Sequence, residues 1–147
     1  MLNRTRKVLL AEDNRVLLTA SKFALERAGY EVILATDGEH ALRVARHALP
    51  DLIILDMLLP KLPGYEVLRL LKKDPLTAGI PVVVVSVLSQ LNETKLVEDG
   101  AAAYYEKTYL GPEMLGEIVR AIIGAPSATS REGSYRPDPV EIQERIV

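Results

Sequence analysis

Three carboxylates follow two short apolar runs in this chain. Asp56 comes directly after the run LIIL, and the pair Glu12 and Asp13 comes directly after the run VLLA. Short continuous apolar runs are typical of parallel strands buried on both faces. If both runs are parallel strands, they end at the same edge of the sheet and the three carboxylates converge there. Like charges held close together are unfavourable unless a cation or protons neutralise them. The pattern therefore predicts a site for a hard divalent cation beside a reactive carboxylate.

Two further polar residues end apolar runs. Ser86 follows the run VVVV, and Lys107 comes shortly after Tyr104 and Tyr105. Neighbouring strands lie about 5 Å apart, so a lysine and an aspartate can meet across one intervening strand. Three carboxylates, a hydroxyl and an ammonium suit phosphoryl transfer to Asp56, with Mg²⁺ and Lys107 neutralising the phosphoryl oxygens and Ser86 donating a hydrogen bond.

The elements that would position these residues follow from the alternation of the chain. Apolar runs at 7–11, 31–35, 51–55, 81–86 and 101–105 alternate with helical patterns at 14–28, 39–49, 64–73 and 112–123. A shorter helix is predicted to open at Ser89 or Asn92 and to end near Gly100. We predict an α/β fold: a doubly wound, five-stranded parallel sheet with helices on both faces. The flavodoxin-like order 2-1-3-4-5 would bring Glu12, Asp13 and Asp56 to the switch point between the first and third strands.

Length and composition limit the classes of function. The chain has 147 residues, a formal charge of −2 and no cysteine. This charge gives no reason to expect direct nucleic-acid binding, and the lack of cysteine excludes disulfides and thiolate metal sites. No apolar run is long enough to span a membrane, so a cytoplasmic protein is predicted. We expect one domain over 1–124, followed by a flexible Pro- and Ser-rich tail or linker over 125–147, in which 140–147 carry a weak helical signal.

The chain resembles the receiver domain of two-component response regulators over about residues 5–124. The resemblance is carried by five elements in order: Glu12-Asp13, the stretch DMLLPKLPG that begins at Asp56, Ser86, Lys107, and Tyr104 three residues before that lysine. It implies a signalling switch that catalyses only its own phosphoryl transfer and dephosphorylation. The 23 residues after Gly124 are too few for an output domain, so we favour a stand-alone receiver of the chemotaxis type over the alternative, an excerpt of a longer regulator.

The resemblance also implies roles for the site residues. Asp56 would accept the phosphoryl group from a histidine kinase or a phosphotransfer protein. Asp13 and Asp56 would bind Mg²⁺ directly, Glu12 would bind it through water, and the backbone carbonyl of Leu58 would complete the protein ligands.

Further implied roles concern the switch. Ser86 and Lys107 would contact the phosphoryl group, and Tyr104 would turn inward as Ser86 moves. This change would alter the face formed by the fourth helix, fifth strand and fifth helix, where a downstream protein binds. Whether phosphorylation also produces a homodimer is left open.

The sequence departs from the family pattern near the site. Thr108 replaces the usual proline after Lys107, and the cis peptide expected there would cost about 2.5–4 kcal/mol without proline, which leaves the loop geometry open. Val87 replaces a small residue and could crowd the phosphoryl group. Leu58 and Leu88 are apolar at positions that influence the access of water, so a slowly decaying phosphorylated state is expected.

Other functions are weaker candidates. A phosphatase with an aspartate nucleophile would need a second acid two positions later, where this chain has Leu58. A flavin-binding module would need a phosphate loop after the first strand, where Glu12 and Asp13 would repel phosphate. A receiver fold that docks without phosphorylation remains an alternative because of Val87 and Thr108.

Overall fold

A computed structural model describes residues 4–87 and 93–127, except for the side chain of Glu93. The strands are β1 (Lys7–Ala11), β2 (Glu31–Ala35), β3 (Leu52–Asp56), β4 (Val82–Ser86) and β5 (Ala103–Glu106). The helices are α1 (Arg15–Arg27), α2 (Gly38–Ala48), α3 (Gly64–Lys73), α4 (Glu93–Glu98) and α5 (Leu115–Ile123). Short 3₁₀ turns at Lys107–Tyr109 and Pro112–Met114 lie between β5 and α5.

The five strands form one parallel sheet in the order β2-β1-β3-β4-β5. The predicted fold class and strand order are therefore confirmed. All residues of β3 and β4 are buried, as expected for central strands covered on both faces. Because the strands are parallel, their carboxyl ends share one edge, which begins after Ala11 in β1 and at Asp56 in β3.

Side-chain caps explain where two of the helices begin. Asn14 accepts a hydrogen bond from the amide of Leu17 at 3.1 Å, and Asp37 accepts one from the amide of His40 at 2.7 Å. The last predicted helix is divided, because Pro112 opens a 3₁₀ turn and α5 proper begins at Leu115. The predicted starts of the short helix, Ser89 and Asn92, lie outside the described residues, and its observed part is Glu93–Glu98.

Two apolar layers hold the sheet between the helices. One face packs against residues of α2, α3 and α4, including Ala45, Leu68 and Leu96. The other face packs against α1 and α5, including Leu25 and Ile118. Alternate residues of each central strand enter opposite layers, which fixes the register of the sheet and therefore the residues that reach its edge.

The chain after α5 turns back along the start of the sheet. The amide of Arg6 donates to the carbonyl of Pro126 at 2.7 Å, and Thr5 forms an antiparallel bridge with Ser127. The hydroxyl of Tyr30 donates to the carbonyl of Gly124 at 2.7 Å. Residues up to Ser127 are thus attached to the domain, while 128–147, which hold the rest of the predicted tail, lie outside the described residues. In the described part of the chain, no helix is long and apolar enough to cross a membrane.

Candidate functional site

The ends of β1 and β3 build the acidic part of the site. Ala11 pairs with Leu55, so the next residues, Glu12 and Asp56, come side by side at the edge of the sheet. The amide of Glu12 still donates to the carbonyl of Ala35 in β2, at 3.0 Å. Glu12 and Asp56 are each only 3% exposed. Two carboxylates are therefore buried next to each other by the backbone itself.

Asp13 completes a cluster of three acids. One oxygen from each of Glu12, Asp13 and Asp56 lies within 4.8 Å of the others. Asp13 is exposed, whereas the other two are buried, so the cluster opens to solvent on the Asp13 side. Hard carboxylate oxygens with open access to water are the ligands that Mg²⁺ prefers, and these three residues could hold it.

Lys107 brings the opposing positive charge from the loop after β5. Its Nζ donates to Asp56 Oδ2 at 2.7 Å and also to Glu12 Oε1. Burial disfavours the charged ammonium, but the hydrogen bonds to Asp56 and Glu12 outweigh this and raise the pKa of Lys107. Burial also raises the pKa of the Glu12 carboxyl, in opposition to the lowering effect of Lys107. One lysine ammonium thus donates hydrogen bonds to two buried carboxylates and offsets part of their negative charge.

Backbone amides hold the other oxygens of these two carboxylates. The amide of Leu58 donates to Asp56 Oδ1 at 3.0 Å, and the amide of Asn14 donates to Glu12 Oε2 at 3.1 Å. Each carboxylate therefore has one oxygen on Lys107 and one on a nearby backbone amide. Both side chains are fixed in orientation before any ligand binds.

Gly64 closes the loop that follows Asp56. Its amide donates to the carbonyl of Met57 at 3.0 Å, and a Cβ at this position would lie 2.3 Å from the carbonyl oxygen of Asp56. Only glycine fits this close approach of the first turn of α3 to the end of β3. The sequence pattern included Gly64 as the start of a predicted helix and as part of the resemblance, and the structure gives the physical reason for a glycine at this position.

Ser86 and Tyr104 lie on neighbouring strands and on the same face of the sheet. Tyr104 pairs with Val84, and Ser86 is two residues further along β4 on the same face. Ser86 is fully buried and Tyr104 is 8% exposed, so the tyrosine ring already lies inward in this structure. The register partner of Asp56 is Val85, so Ser86 is one position beyond the residue level with Asp56.

The residues that depart from the family pattern lie around this edge. Lys107–Tyr109 form a 3₁₀ turn, and the described residues contain no cis peptide bond, so the bond between Lys107 and Thr108 is trans. The side chains of Leu58 and Val87 are 47% and 56% exposed. Leu88 lies outside the described residues.

The structure joins Glu12, Asp13, Asp56 and Lys107, which the sequence predicted as a group, and Leu58 contributes a backbone contact to it. The sequence did not predict the contact between Lys107 and Glu12 or the amide of Asn14 on Glu12. The charge pattern offered a signal for the first, because three acids face one lysine. The hydrogen bond from the Asn14 amide to Glu12 depends on the conformation of the turn between β1 and α1, for which the sequence offered no signal.

The family model for the response regulator receiver domain matches residues 8–120. The chain belongs to the response regulator receiver family. This receiver is 33% identical over 121 residues to the polar-differentiation response regulator DivK of Brucella ovis. The match covers 82% of the chain and 98% of that relative. It is also 34% identical over 139 residues to the alkaline phosphatase synthesis transcriptional regulatory protein PhoP of Bacillus subtilis. The match covers 94% of the chain but 57% of PhoP, so the chain spans little more than half the length of that relative.

Solved receivers share the fold of this chain. A response regulator receiver domain protein from Clostridium thermocellum is 31% identical, with a TM-score of 0.68, and the match covers 76% of this chain and 88% of that one. The receiver domain of the sensor histidine kinase PA1611 from Pseudomonas aeruginosa is 28% identical, with a TM-score of 0.73, over 83% of this chain and 100% of that one. In that neighbour a magnesium ion is coordinated in the active-site cleft.

Proposed function

We propose that this receiver takes a phosphoryl group onto Asp56 from a histidine kinase or a phosphotransfer protein and acts in the cytoplasm. The observation that carries the proposal is the meeting of three carboxylates with Lys107, which is bonded to Asp56 and Glu12. Burying two carboxylates side by side costs free energy. A site built for a cation and a phosphoryl group accounts for that cost, whereas a purely structural contact does not.

In the proposed reaction, an oxygen of Asp56 attacks the phosphorus and the bond between phosphorus and the donor's histidine nitrogen breaks. The imidazole leaves with the electron pair and takes up a proton. Lys107 faces the phosphoryl oxygens and stabilises their charge. When bound through Asp13, Asp56, the carbonyl of Leu58 and, by way of water, Glu12, Mg²⁺ would supply further positive charge beside those oxygens. The chain modifies only itself, so the reaction sets a switch and turns over no external substrate.

The output of this switch is proposed to pass through Ser86 and Tyr104. The hydroxyl of Ser86 would donate to the phosphoryl group, and its movement would change the packing of the Tyr104 ring on the same face of the sheet. Their shared face of the sheet, under α4, supports this coupling. The surface of α4, β5 and α5 would then bind a downstream protein in one state more tightly than in the other. We expect this target to be a protein and not a nucleic acid.

A donor protein has to cover the open side of the site. Asp13 and Leu58 are exposed at its rim, and α1 starts two residues after Asp13, at Arg15, and carries Val16, which is 82% exposed. An exposed apolar side chain three residues after Asp13 favours a protein donor that rests on the rim and on the first turns of α1.

The test is phosphorylation of the purified full chain by acetyl phosphate with Mg²⁺, followed by intact mass. We expect a gain of one phosphoryl group that requires Mg²⁺ and is lost in Asp56→Asn. Asp99→Asn is the matched control, because Asp99 pairs with Lys95 on the surface. If the folded wild type binds Mg²⁺ but gains no mass, the receiver works as a docking module without phosphorylation. Val87→Ala would then show whether crowding by the valine side chain keeps the phosphoryl group out.

The same preparation tests the lifetime of the phosphorylated state. Leu58, whose side chain is 47% exposed, and Leu88, which lies outside the described residues, are apolar at the positions that are expected to influence how water reaches Asp56. We expect slow loss of the phosphoryl group after the donor is removed. Mass measurements at timed intervals give the half-life. A half-life of only seconds would contradict this expectation.

A further inference from the structure

Helix α1 is apolar on two opposite sides. Its inner side enters the core through Leu18 and Leu25. Its outer side carries Val16, Ala20 and Phe23, spaced by four and three residues so that they form one stripe, which we call the α1 outer patch. Val16 is 82% exposed and Phe23 is 61% exposed. The outer side of a surface helix is ordinarily polar, so this stripe indicates a surface that something covers.

Charged and apolar residues surround the outer patch. Arg15 lies beside Val16, and the guanidinium of Arg27 lies 5.8 Å from the centre of the Phe23 ring. The surface continues past Phe23 to Pro112 and Glu113 of the 3₁₀ turn before α5. An apolar floor with an arginine near each end suits a segment that carries both apolar and acidic side chains.

The chain itself contains such a segment. Residues 138–147 read DPVEIQERIV, in which Val140, Ile142, Ile146 and Val147 are apolar. The segment has three acids, Asp138, Glu141 and Glu144, and one base, Arg145, which gives it a net charge of −2. Both the apolar side chains and the sign of the charge are complementary to the outer patch.

The place where the described chain ends brings this segment close to α1. Pro126 lies against Gly29, two residues after the last residue of α1, and is held there by its hydrogen bond with Arg6. The ten residues 128–137 can span up to about 33 Å when extended. Helix α1, with 13 residues, is about 20 Å long. The segment can therefore reach every part of the outer patch.

We propose that residues 138–147 dock on the α1 outer patch of the same molecule and cover Val16 and Phe23. The consequence for regulation rests on the proposed function: a protein donor that uses the rim and the first turns of α1 has to displace this segment before it reaches Asp56. Acetyl phosphate, which is small, does not. The tail then acts as a cover that slows phosphorylation by protein donors and leaves phosphorylation by small donors unaffected.

The docking itself is tested without phosphorylation. Because the chain has no cysteine, Gln143→Cys in the full chain accepts a single nitroxide label. Paramagnetic broadening is then read from NMR spectra of the backbone amides. We expect the oxidised label to remove the amide signals of α1 residues around Phe23, relative to the reduced label, and to leave the amide signals of α2 and α3 intact. Adding Ile142→Ser and Ile146→Ser should restore the α1 signals. Intact α1 signals in the first variant, or a loss that the serine substitutions do not reverse, would overturn the proposal.

Two controls show whether the segment binds the outer patch and whether it does so within one molecule. Phe23→Ser should also restore the α1 signals, whereas Leu76→Ser, at a residue 62% exposed after α3, should not. Isotope-labelled wild type mixed with nitroxide-labelled protein of natural isotopic abundance should show no signal loss. Loss in that mixture means that the segment docks on a second copy, which overturns docking within one molecule.

A kinetic arm then tests the regulatory consequence. With a histidine kinase or phosphotransfer donor, the Ile142→Ser, Ile146→Ser chain should be phosphorylated faster than wild type. With acetyl phosphate the two chains should react at equal rates. Docking without this difference would refute the regulatory role, and failure of both chains to react with acetyl phosphate would refute the proposed function while the nitroxide result stands.

Discussion

At the scale of single residues, the unusual feature is how few positive charges balance the site. Lys107 alone bonds to both Asp56 and Glu12 in the described residues. Each carboxylate also accepts a hydrogen bond from one backbone amide: Asp56 from that of Leu58, and Glu12 from that of Asn14. Sequence reasoning found all the charged members, because polar residues that end apolar runs are conspicuous. It did not find the two amides, since their positions depend on the turn after each strand.

Lys107→Met is expected to destabilise the protein. The substitution leaves the buried carboxylates of Glu12 and Asp56 without their shared donor, which should lower the free energy of unfolding by about 1–3 kcal/mol. Added Mg²⁺ should recover part of the loss, because it would supply positive charge at the same place. Urea unfolding with and without Mg²⁺ measures both effects. Lys22→Met, which removes an exposed pair with Glu26, should change stability by less than about 0.5 kcal/mol. Equal effects of the two substitutions would contradict a stabilising role for the shared lysine.

At the scale of elements, the alternation of apolar runs and helical patterns was sufficient for the parallel sheet and for most helix bounds. The strand order was predicted only by analogy with the flavodoxin-like fold, a common arrangement of five such units. Asn14, Asp37 and Gly64 mark helix starts that follow from simple capping and close-packing rules. The segment after β5 was not predictable in this way. Pro112 signals a helix start, but its first turn is 3₁₀ and the α-helix begins only at Leu115. Propensity rules do not distinguish these two kinds of turn when only one turn is involved.

Gly64→Ala is expected to damage the site through the backbone. The added methyl group would lie 2.3 Å from the carbonyl oxygen of Asp56, so the end of β3 or the start of α3 must move. Overpacking of this kind costs about 1–3 kcal/mol. The shift should also weaken Mg²⁺ binding, because it displaces the backbone around Asp56 and Leu58. Calorimetric Mg²⁺ titration and thermal unfolding measure the two effects. Gly79→Ala is the control, since nothing lies within 4 Å of a Cβ there. Unchanged Mg²⁺ affinity in a folded Gly64→Ala protein would show that this close approach does not position the cation's ligands.

At the scale of the whole molecule, the two ends of the domain meet on the side away from the site. The hydroxyl of Tyr30 donates a hydrogen bond to the carbonyl of Gly124, and the amide of Arg6 donates one to the carbonyl of Pro126. The sequence predicted a boundary near Gly124 from composition alone. It did not predict that residues 125–127 return to Thr5 and Arg6, just before β1, because contacts between residues so distant along the chain leave no local periodicity. Helix α1 thus runs from the edge that carries Asp13 to the position of Pro126, which lies against Gly29.

Tyr30→Phe tests this closure and has a defined dependence on pH. Loss of the hydrogen bond to Gly124 should cost about 1 kcal/mol at neutral pH. Burial raises the pKa of Tyr30 to about 12 from its ordinary value of 10.0. Because the folded state resists ionisation of the phenol, this contribution is complete below pH 10 and is lost as the pH rises toward 12. The stability difference between wild type and Tyr30→Phe should therefore shrink over that range in urea unfolding. Tyr65→Phe, at an exposed ring, should leave stability nearly unchanged. A difference that stays constant up to pH 12 would be inconsistent with the burial of this phenol.

Binding of Mg²⁺ should stabilise the whole domain, because the acids proposed to hold it lie at the ends of β1 and β3 and are far apart in the unfolded chain. A ligand that binds only the folded state stabilises it by about 2.7 kcal/mol at one hundred times its Kd. The melting temperature of wild type should therefore rise steadily with Mg²⁺ concentration. Asp13→Asn should flatten this dependence without lowering the melting temperature in the absence of Mg²⁺, since Asp13 is exposed and its charge adds repulsion to Glu12 and Asp56. Asp99→Asn, on the surface, should retain the full dependence. If Asp13→Asn responds to Mg²⁺ as wild type does, the three-acid cluster is not the site at which the cation binds.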